Sequence, residues 1–349
     1  MYAIEKTKTG ALQRLLERSG RVTIVSHTHP DGDAVGSSCA LCTFLQEARK
    51  DVMVIFPTPV PPAVSFAAEG LPVSIFSLSE ESCRERIASS DLLVCLDFNS
   101  FERTEAMADC LRACPAPKVL IDHHLNPSAA DFDICFSETE ISSASELLFW
   151  VLLSLDGVDS DAGKLPERTR QALMVGMTTD TNNFANSVFP STFSMASMLL
   201  AAGVDRDDII SRLYNNYGEN RVRLFGEMLK DELEISRSGV ATMFLTSEIK
   251  EKYQIGEGDA EGLVNQPLAI GKVKMSILVK EENDGQVRVS VRSKRGVSAN
   301  LLAREYFHGG GHEMAAGGKI LVPEDAASKW KIAEYVRSSA EKFIERYEN

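Results

Sequence analysis

Four short apolar runs, residues 22–25, 52–56, 92–96 and 119–121, constrain the fold more than any other feature of the chain. Each has the length and the Val, Ile and Leu content of a strand buried on both faces. Helical periodicity fills the space between them, at residues 3–18, 34–48 and 80–88. This alternation predicts an α/β fold on an open, mainly parallel sheet, where functional groups collect at the carboxyl ends of the strands. The acidic and histidine motifs of the chain fall at those ends.

A chain of 349 residues is longer than the ~250 at which single cores stop growing, so a boundary is expected. Helical stretches at 142–155, 166–178 and 192–202 are followed by a polar stretch, 214–220, and a helical segment, 221–233. From residue 235 the pattern changes to strands rich in Val, Ile and Met, such as 273–279 and 286–291, joined by the hairpin turn Asn283-Asp284-Gly285. The expected organisation is a catalytic domain over 1–218, a linker helix over 219–235 and a smaller α/β domain over 236–349, ending in a helix at 324–346.

Charge divides with the domains. From residue 236 onward there are 17 Lys and Arg against 16 Asp and Glu, and before it 20 against 34. A first domain this acidic excludes a long duplex partner, which needs an extended basic surface, but not a small anion held through metals. The longest apolar run, 147–155, is far short of the ~20 residues of a membrane helix. The N-terminus MYAIEKTKTG has no secretory pattern, so a cytoplasmic protein is expected. All seven cysteines precede residue 136 without a disulfide spacing, and Cys39 and Cys42 sit in an apolar helical pattern, which favours reduced core thiols.

All six histidines lie in three short clusters. The first, HTHPDGDAVGS, begins where run 22–25 ends and offers His27, Asp31 and Asp33 at a loop leading into a helix. Either aspartate could cap that helix instead. Asp97 follows run 92–96, and Asp122, His123 and His124 follow run 119–121. Two adjacent imidazoles beside an acid suit one ligand and one proton donor or phosphate contact. Asp180, in GMTTDTNNF, follows a helix end, where a turn aspartate is the plain alternative. Together these supply two imidazoles and four carboxylates, enough for two divalent cations sharing a carboxylate. Ligands without thiolate favour Mn²⁺, with Mg²⁺, Fe²⁺ or Co²⁺ as competitors. Phosphoester hydrolysis is the natural reaction for such a pair.

The last histidine cluster, HGGGHEMAAGG, lies in the second domain. Its glycines let backbone N–H groups approach an anion, and His312 can add a hydrogen bond. The preceding stretch, 286–304, carries five positive charges and no negative one, with Arg292 and Ser293 as the best phosphate contacts.

At these residues the chain resembles the DHH phosphoesterase superfamily, over nearly its whole length. The resemblance rests on H-x-x-P-D-x-D from His27 to Asp33, the strand-end Asp97, Asp122-His123-His124, Asp180 and GGGHxxAAG from Gly309 to Gly317. The C-terminal signature is similar to the DHH-associated nucleic-acid-binding domain, and the nearest branch to the nanoRNases. The resemblance implies hydrolysis of RNA fragments of about two to five nucleotides and dephosphorylation of 3′-phosphoadenosine 5′-phosphate. Cyclic di-AMP or pApA cleavage is the alternative of like chemistry, and a nucleotide-binding regulator without turnover the alternative of another class. It implies one metal on His27, Asp31 and Asp97 and another on Asp33, Asp97, His123 and Asp180. His124 would contact the scissile phosphate or protonate the leaving group, oriented by Asp122. Arg103, Arg292, Ser293, Gly310, Gly311 and His312 would hold the substrate. Short RNA oligonucleotides or nucleotides are the implied partners, without a membrane, and a homodimer is left open. Two departures, Thr181-Asn182-Asn183 where relatives carry a glycine and Phe98-Asn99-Ser100 after Asp97, bear on substrate preference and remove no ligand. His29 has no role in the pattern and reads as an exposed loop residue.

Overall fold

A computed structural model describes residues 2–256, 258–282 and 285–347, with His312 described by its backbone alone. The chain divides into two compact units, Met1–Asn216 and Tyr217–Asn349.

The strands of the first unit are β1 (Arg21–Val25), β2 (Asp51–Phe56), β3 (Val73–Ile75), β4 (Leu92–Leu96), β5 (Lys118–Asp122) and β6 (Ile134–Ser137). They form one wholly parallel sheet in the order β3-β2-β1-β4-β5-β6. Its helices are α1 (Lys6–Arg18), α2 (Gly32–Glu47), α3 (Glu80–Ala88), α4 (Ala108–Ala113), α5 (Ala144–Leu153), α6 (Glu167–Asp180), α7 (Pro190–Ala201) and α8 (Arg206–Tyr214). Successive strand residues feed opposite layers. Leu92, Val94 and Leu96 of β4 join the core under α1, α2, α5 and α6, while Leu93 and Cys95 pack with Ile87 and Leu111 on the other side. Because successive side chains point to opposite faces, a sheet covered on both faces requires strands that are apolar at every position. β1 and β4 are adjacent although β2 and β3 intervene in sequence, so the strand order reverses there. That reversal opens a crevice above the carboxyl ends of β1, β4 and β5.

One helix contact governs this geometry. α2 and α6 cross antiparallel with Gly36 against Gly176, where a Cβ on Gly36 would stand 2.6 Å from the Gly176 nitrogen and 2.7 Å from the Ala172 carbonyl oxygen. Further along, Thr169 Oγ1 donates to the Ala40 carbonyl at 3.2 Å and meets Thr43 Oγ1 at 2.8 Å. The glycines let two backbones approach to a distance that side chains would forbid.

The second unit contains β7 (Glu234–Ile235), β8 (Val240–Leu245), β9 (Met275–Glu281), β10 (Val287–Ser293), β11 (Gly310–His312) and β12 (Ala315–Ile320), in the order β11-β12-β10-β9-β8-β7. Only β8 and β9 run parallel. The helices are α9 (Glu219–Glu227), α10 (Ser247–Lys252), α11 (Ala299–Tyr306) and α12 (Ile332–Tyr347). β9 and β10 pair as a hairpin, with Asn283 and Asp284 of its expected turn outside the described residues. The helix expected at 324–346 begins only at Ile332, because the preceding residues are held as a turn. Asp325 accepts from the Leu321 N–H at 2.8 Å and faces His308 Nε2 at 3.0 Å, and Pro323 cannot supply a helical N–H. Among the described residues all seven cysteines are free, with Cys39 and Cys42 fully buried, and no helix is long and apolar enough to cross a membrane.

The helix crossing gives a direct test. Gly36→Ala should cost about 1–3 kcal/mol through overpacking against backbone. Gly226→Ala, in α9 with open space around it, should stabilise by roughly 0.5–1 kcal/mol. Urea unfolding of both variants checks the contrast, and equal effects would contradict the packing argument.

Candidate functional site

Each candidate side chain of the first unit is delivered by the end of a regular element. β1 ends two residues before His27, which is 4% exposed, and its Nδ1 lies 2.8 Å from the Thr28 carbonyl. That contact fixes Nδ1 as the donor and turns Nε2 to Asp97, at 3.5 Å from Oδ2. The Thr28 N–H in turn donates to the Arg103 carbonyl at 2.8 Å, tying the loop after β1 to the segment after β4. The backbone of Arg103 therefore braces the site, and its side chain is half-buried.

Asp31 is the N-cap of α2, its Oδ1 accepting from the N–H groups of Asp33 and Ala34, each at 3.0 Å. It also falls with His27 and Asp97 in a group whose ligand atoms lie within 4.8 Å of one another. Capping and ligation are thus compatible, since a carboxylate has two oxygens. Asp33, in the first turn of α2, is 1% exposed. Its oxygens accept from the first N–H groups of α5, Ala144 at 2.6 Å and Ser145 at 2.9 Å. A helix N-terminus favours such an anion. Burial and the Asp97 and Asp180 charges nevertheless push its carboxyl well above the usual range.

Asp97 sits at the centre, 1% exposed, with a left-handed φ of 63°. A non-glycine residue there is strained. Its Oδ1 lies 3.4 Å from His123 Nε2 and 3.8 Å from His124 Nδ1, and has no hydrogen-bond partner. Burial alone would raise its pKa, but the flanking His123 and His27 imidazoles hold the carboxyl well below the usual range. His123 also approaches Asp180 Oδ2 at 3.6 Å. Burial opposes charge on this imidazole, yet the Asp97, Asp33 and Asp180 carboxylates push it up to about 10. Asp180, at the last turn of α6, is pushed up to about 7 by burial and by Asp97 and Asp31, against the pull of His123. Asp122 is fully buried at the end of β5, and its Oδ1 meets His124 Nδ1 at 2.7 Å.

Three overlapping groups could therefore hold cations: His27, Asp31 and Asp97; Asp33, His123 and Asp180; and Asp97, His123 and His124. A buried carboxylate oxygen without a donor, inside a set of imidazole and carboxylate ligands, is the arrangement a divalent cation completes. The residues fit that group.

The sequence reading missed the support beneath Asp33. Glu146, fully buried, accepts from the Ser142 N–H at 3.1 Å, the Ser142 hydroxyl, the Thr192 hydroxyl at 2.7 Å and Trp150 Nε1 at 3.3 Å. It thereby fixes the turn that presents the Ala144 and Ser145 amides. The pattern Ser143-Ala144-Ser145-Glu146, with the Glu146 N–H donating to Ser143 Oγ, was the available signal. His29 is exposed in its loop.

In the second unit, Arg292 is half-buried on β10, with Nη1 donating to the Val291 carbonyl at 3.0 Å, and burial lowers its pKa. Ser293 is 5% exposed and its hydroxyl donates to the Val297 carbonyl at 2.6 Å, holding the turn between β10 and α11. Gly310 and Gly311 lie on β11, paired with Gly317 and Ala316 of β12. The side chain of His312 lies outside what is described.

Comparison with known proteins shows the family and the fold. Residues 21–177 match the model of the DHH family, N-terminal domain, and residues 237–336 that of the DHHA1 domain. Over 332 residues the chain is 28% identical to the bifunctional oligoribonuclease and PAP phosphatase NrnA of Bacillus subtilis, covering 93% of this chain and 96% of that one. The crystal structure of an exopolyphosphatase-related protein from Bacteroides fragilis is 33% identical and covers the whole of both chains, with a TM-score of 0.92. Exonuclease RecJ bound to manganese shares the fold at 16% identity, with a TM-score of 0.56 over 99% of this chain and 96% of that one. With both domain models matched in order, this chain belongs to the DHH family of phosphoesterases and carries a DHHA1 domain.

Proposed function

We propose that this protein is a two-metal phosphoesterase that hydrolyses oligoribonucleotides of about two to five residues to mononucleotides and also dephosphorylates 3′-phosphoadenosine 5′-phosphate. The observation that carries the reading is the sharing of Asp97 and His123 among the candidate ligand groups. A common carboxylate between two cation sites suits phosphate chemistry. The substrate class is supported by the Bacillus subtilis relative, which is named for both activities and is similar over nearly the whole of both chains.

In this reading His27, Asp31 and Asp97 hold one cation, and Asp33, Asp97, His123 and Asp180 the other, with Mn²⁺ the best match to imidazole and carboxylate ligands. Cations held by these residues would supply charge to neutralise a phosphate and acidity to a bound water. The remaining work belongs to the chain. Asp122 accepts from His124 Nδ1, which assigns proton exchange with the leaving-group oxygen to Nε2. The α5 amides keep Asp33 in place, so the site is preorganised before substrate arrives. Arg103 is assigned to a phosphate oxygen, and Arg292, Ser293, Gly310, Gly311 and His312 to the rest of the substrate.

Asp97→Ala should abolish Mn²⁺-dependent hydrolysis of a 5′-labelled RNA trinucleotide and of 3′-phosphoadenosine 5′-phosphate. Chelation should silence the native protein until Mn²⁺ is returned. Inertness toward both substrates with rapid turnover of cyclic di-AMP would replace the substrate assignment.

Asp122→Asn should keep metal affinity but lower kcat by roughly 10²–10⁴-fold, the usual worth of an oriented general acid. Unchanged kcat would remove His124 from proton transfer.

Metal uptake should release protons. Below about 7 the Asp180 carboxyl carries a proton in the metal-free protein, and His123 carries one up to about 10. Both must leave for a cation to bind, so affinity should fall as pH falls below about 10 and more steeply below about 7, with one proton released between these values and two below them. Calorimetry in buffers of different ionisation enthalpy measures the release, and a pH-independent affinity would contradict it.

A further inference from the structure

Beyond Asp180 and Thr181, three successive residues adopt left-handed backbone conformations: Asn182 at φ 46°, Asn183 at 57° and Phe184 at 67°. Asparagine tolerates that region, whereas a bulky aromatic residue rarely enters it. The turn sets the Phe184 ring against Phe193 of α7, with centroids 5.5 Å apart and planes 14° from parallel. Arg206 at the start of α8 bonds the Asn183 side chain and places its guanidinium 5.6 Å from the Phe184 centroid. Phe184 is half-buried by these neighbours. Phe193 remains 55% exposed.

The pair is tied to the metal-ligand groups by two separate routes. Phe184 lies four residues beyond Asp180, and its N–H donates to Thr181 Oγ1 at 3.1 Å within the same turn. Phe193 follows Thr192, whose hydroxyl bonds Glu146, the residue that fixes the amides holding Asp33. Both routes lead to Asp33 and Asp180, two members of one candidate cation group. An exposed ring, stacked on a second ring that a cation braces, offers a flat π-surface on a segment tied to these carboxylates. Nucleobases bind such surfaces with little regard to sequence.

We propose that the outer face of Phe193 is a stacking platform for a nucleobase of the substrate, whose phosphate lies at the Asp33, His123 and Asp180 group. This rests on the reading of the substrate as a nucleotide. Phe184 and Arg206 are positioning residues that hold Phe193 flat, and Phe193 contacts the base. The platform selects single-stranded fragments, because a paired base is stacked on its own neighbours.

The test is a fluorescence titration of the full-length, Mn²⁺-loaded protein with a 2-aminopurine dinucleotide carrying a hydrolysis-resistant phosphorothioate link. Binding to the native protein should quench the fluorophore. Phe193→Ala should weaken binding roughly tenfold or more, as loss of one base–aromatic stack does. Phe193→Trp should restore it, and Leu200→Ala, an exposed apolar position on the same helix, should change nothing. Affinity of Phe193→Ala for Mn²⁺ alone, measured by calorimetry, should equal that of the native protein. Equal dinucleotide affinity of Phe193→Ala and native protein, or absence of quenching in the native protein, overturns the platform. Hydrolysis of the unmodified trinucleotide is scored separately, so its failure would remove the proposed activity while the quenching still judges the platform.

Discussion

The approach of α2 to α6 through Gly36 and Gly176 is the contact on which the first unit's site depends. Asp33 lies near the start of one helix and Asp180 near the end of the other, so an antiparallel crossing is what brings them together. The side chain of Asp33 itself lies where a Cβ on Gly176 would intrude, at 2.8 Å from Oδ1. The glycines thus do two things. They permit the backbones to touch, and they leave room for a buried carboxylate to reach the amides of α5. A larger residue at either position would widen the crossing, and both carboxylates would move with their helices.

Two buried carboxylates show how structure and function divide the same chemistry. Four donors converge on the oxygens of Glu146. The Thr192 hydroxyl accepts from the Phe189 N–H at 3.0 Å, so its own proton must go to Glu146. Such a group is satisfied and does not need a ligand. Asp97 is buried as deeply but holds imidazoles at 3.4–3.5 Å, beyond good hydrogen-bond length, and keeps one oxygen without a donor. The accounting of donors, more than the mere presence of acids, separates the satisfied carboxylate that shapes the turn from Asp97 and Asp122, each of which keeps a buried oxygen without a donor.

What the sequence revealed and what it hid follow from how local each feature is. The strand runs ending at His27, Asp97 and Asp122 were legible because a buried parallel strand must be continuously apolar and must end where polar residues resume. Their convergence was legible from the α/β alternation, which puts every strand end on one edge. The short edge strands β3 and β6 carry too little periodicity to stand out. The choice between cap and ligand for Asp31 could not be made from its neighbours, and the structure shows why: the same carboxylate caps α2 and belongs to a group that could hold a cation. Partners far apart in sequence were hidden altogether. The bonds from Asp33 to α5 and from Glu146 to Thr192 span more than forty residues each, and no periodicity encodes them.

The glycine-rich signature of the second unit yields to the same accounting. A Cβ on Gly309 would collide with the Gly317 carbonyl, and one on Gly311 would stand 2.6 Å from the Ala315 carbonyl oxygen, where φ is 146°. These two glycines are required by the close pairing of β11 with β12. Gly310 differs, since its nearest neighbours would be the Asn300 and Arg304 side chains at 3.6 and 3.7 Å, ordinary contact distances. Strand geometry therefore does not demand a glycine there. Of the glycine triplet, Gly309 and Gly311 are thus explained by the hairpin, and Gly310 is the one position that its packing does not restrict to glycine.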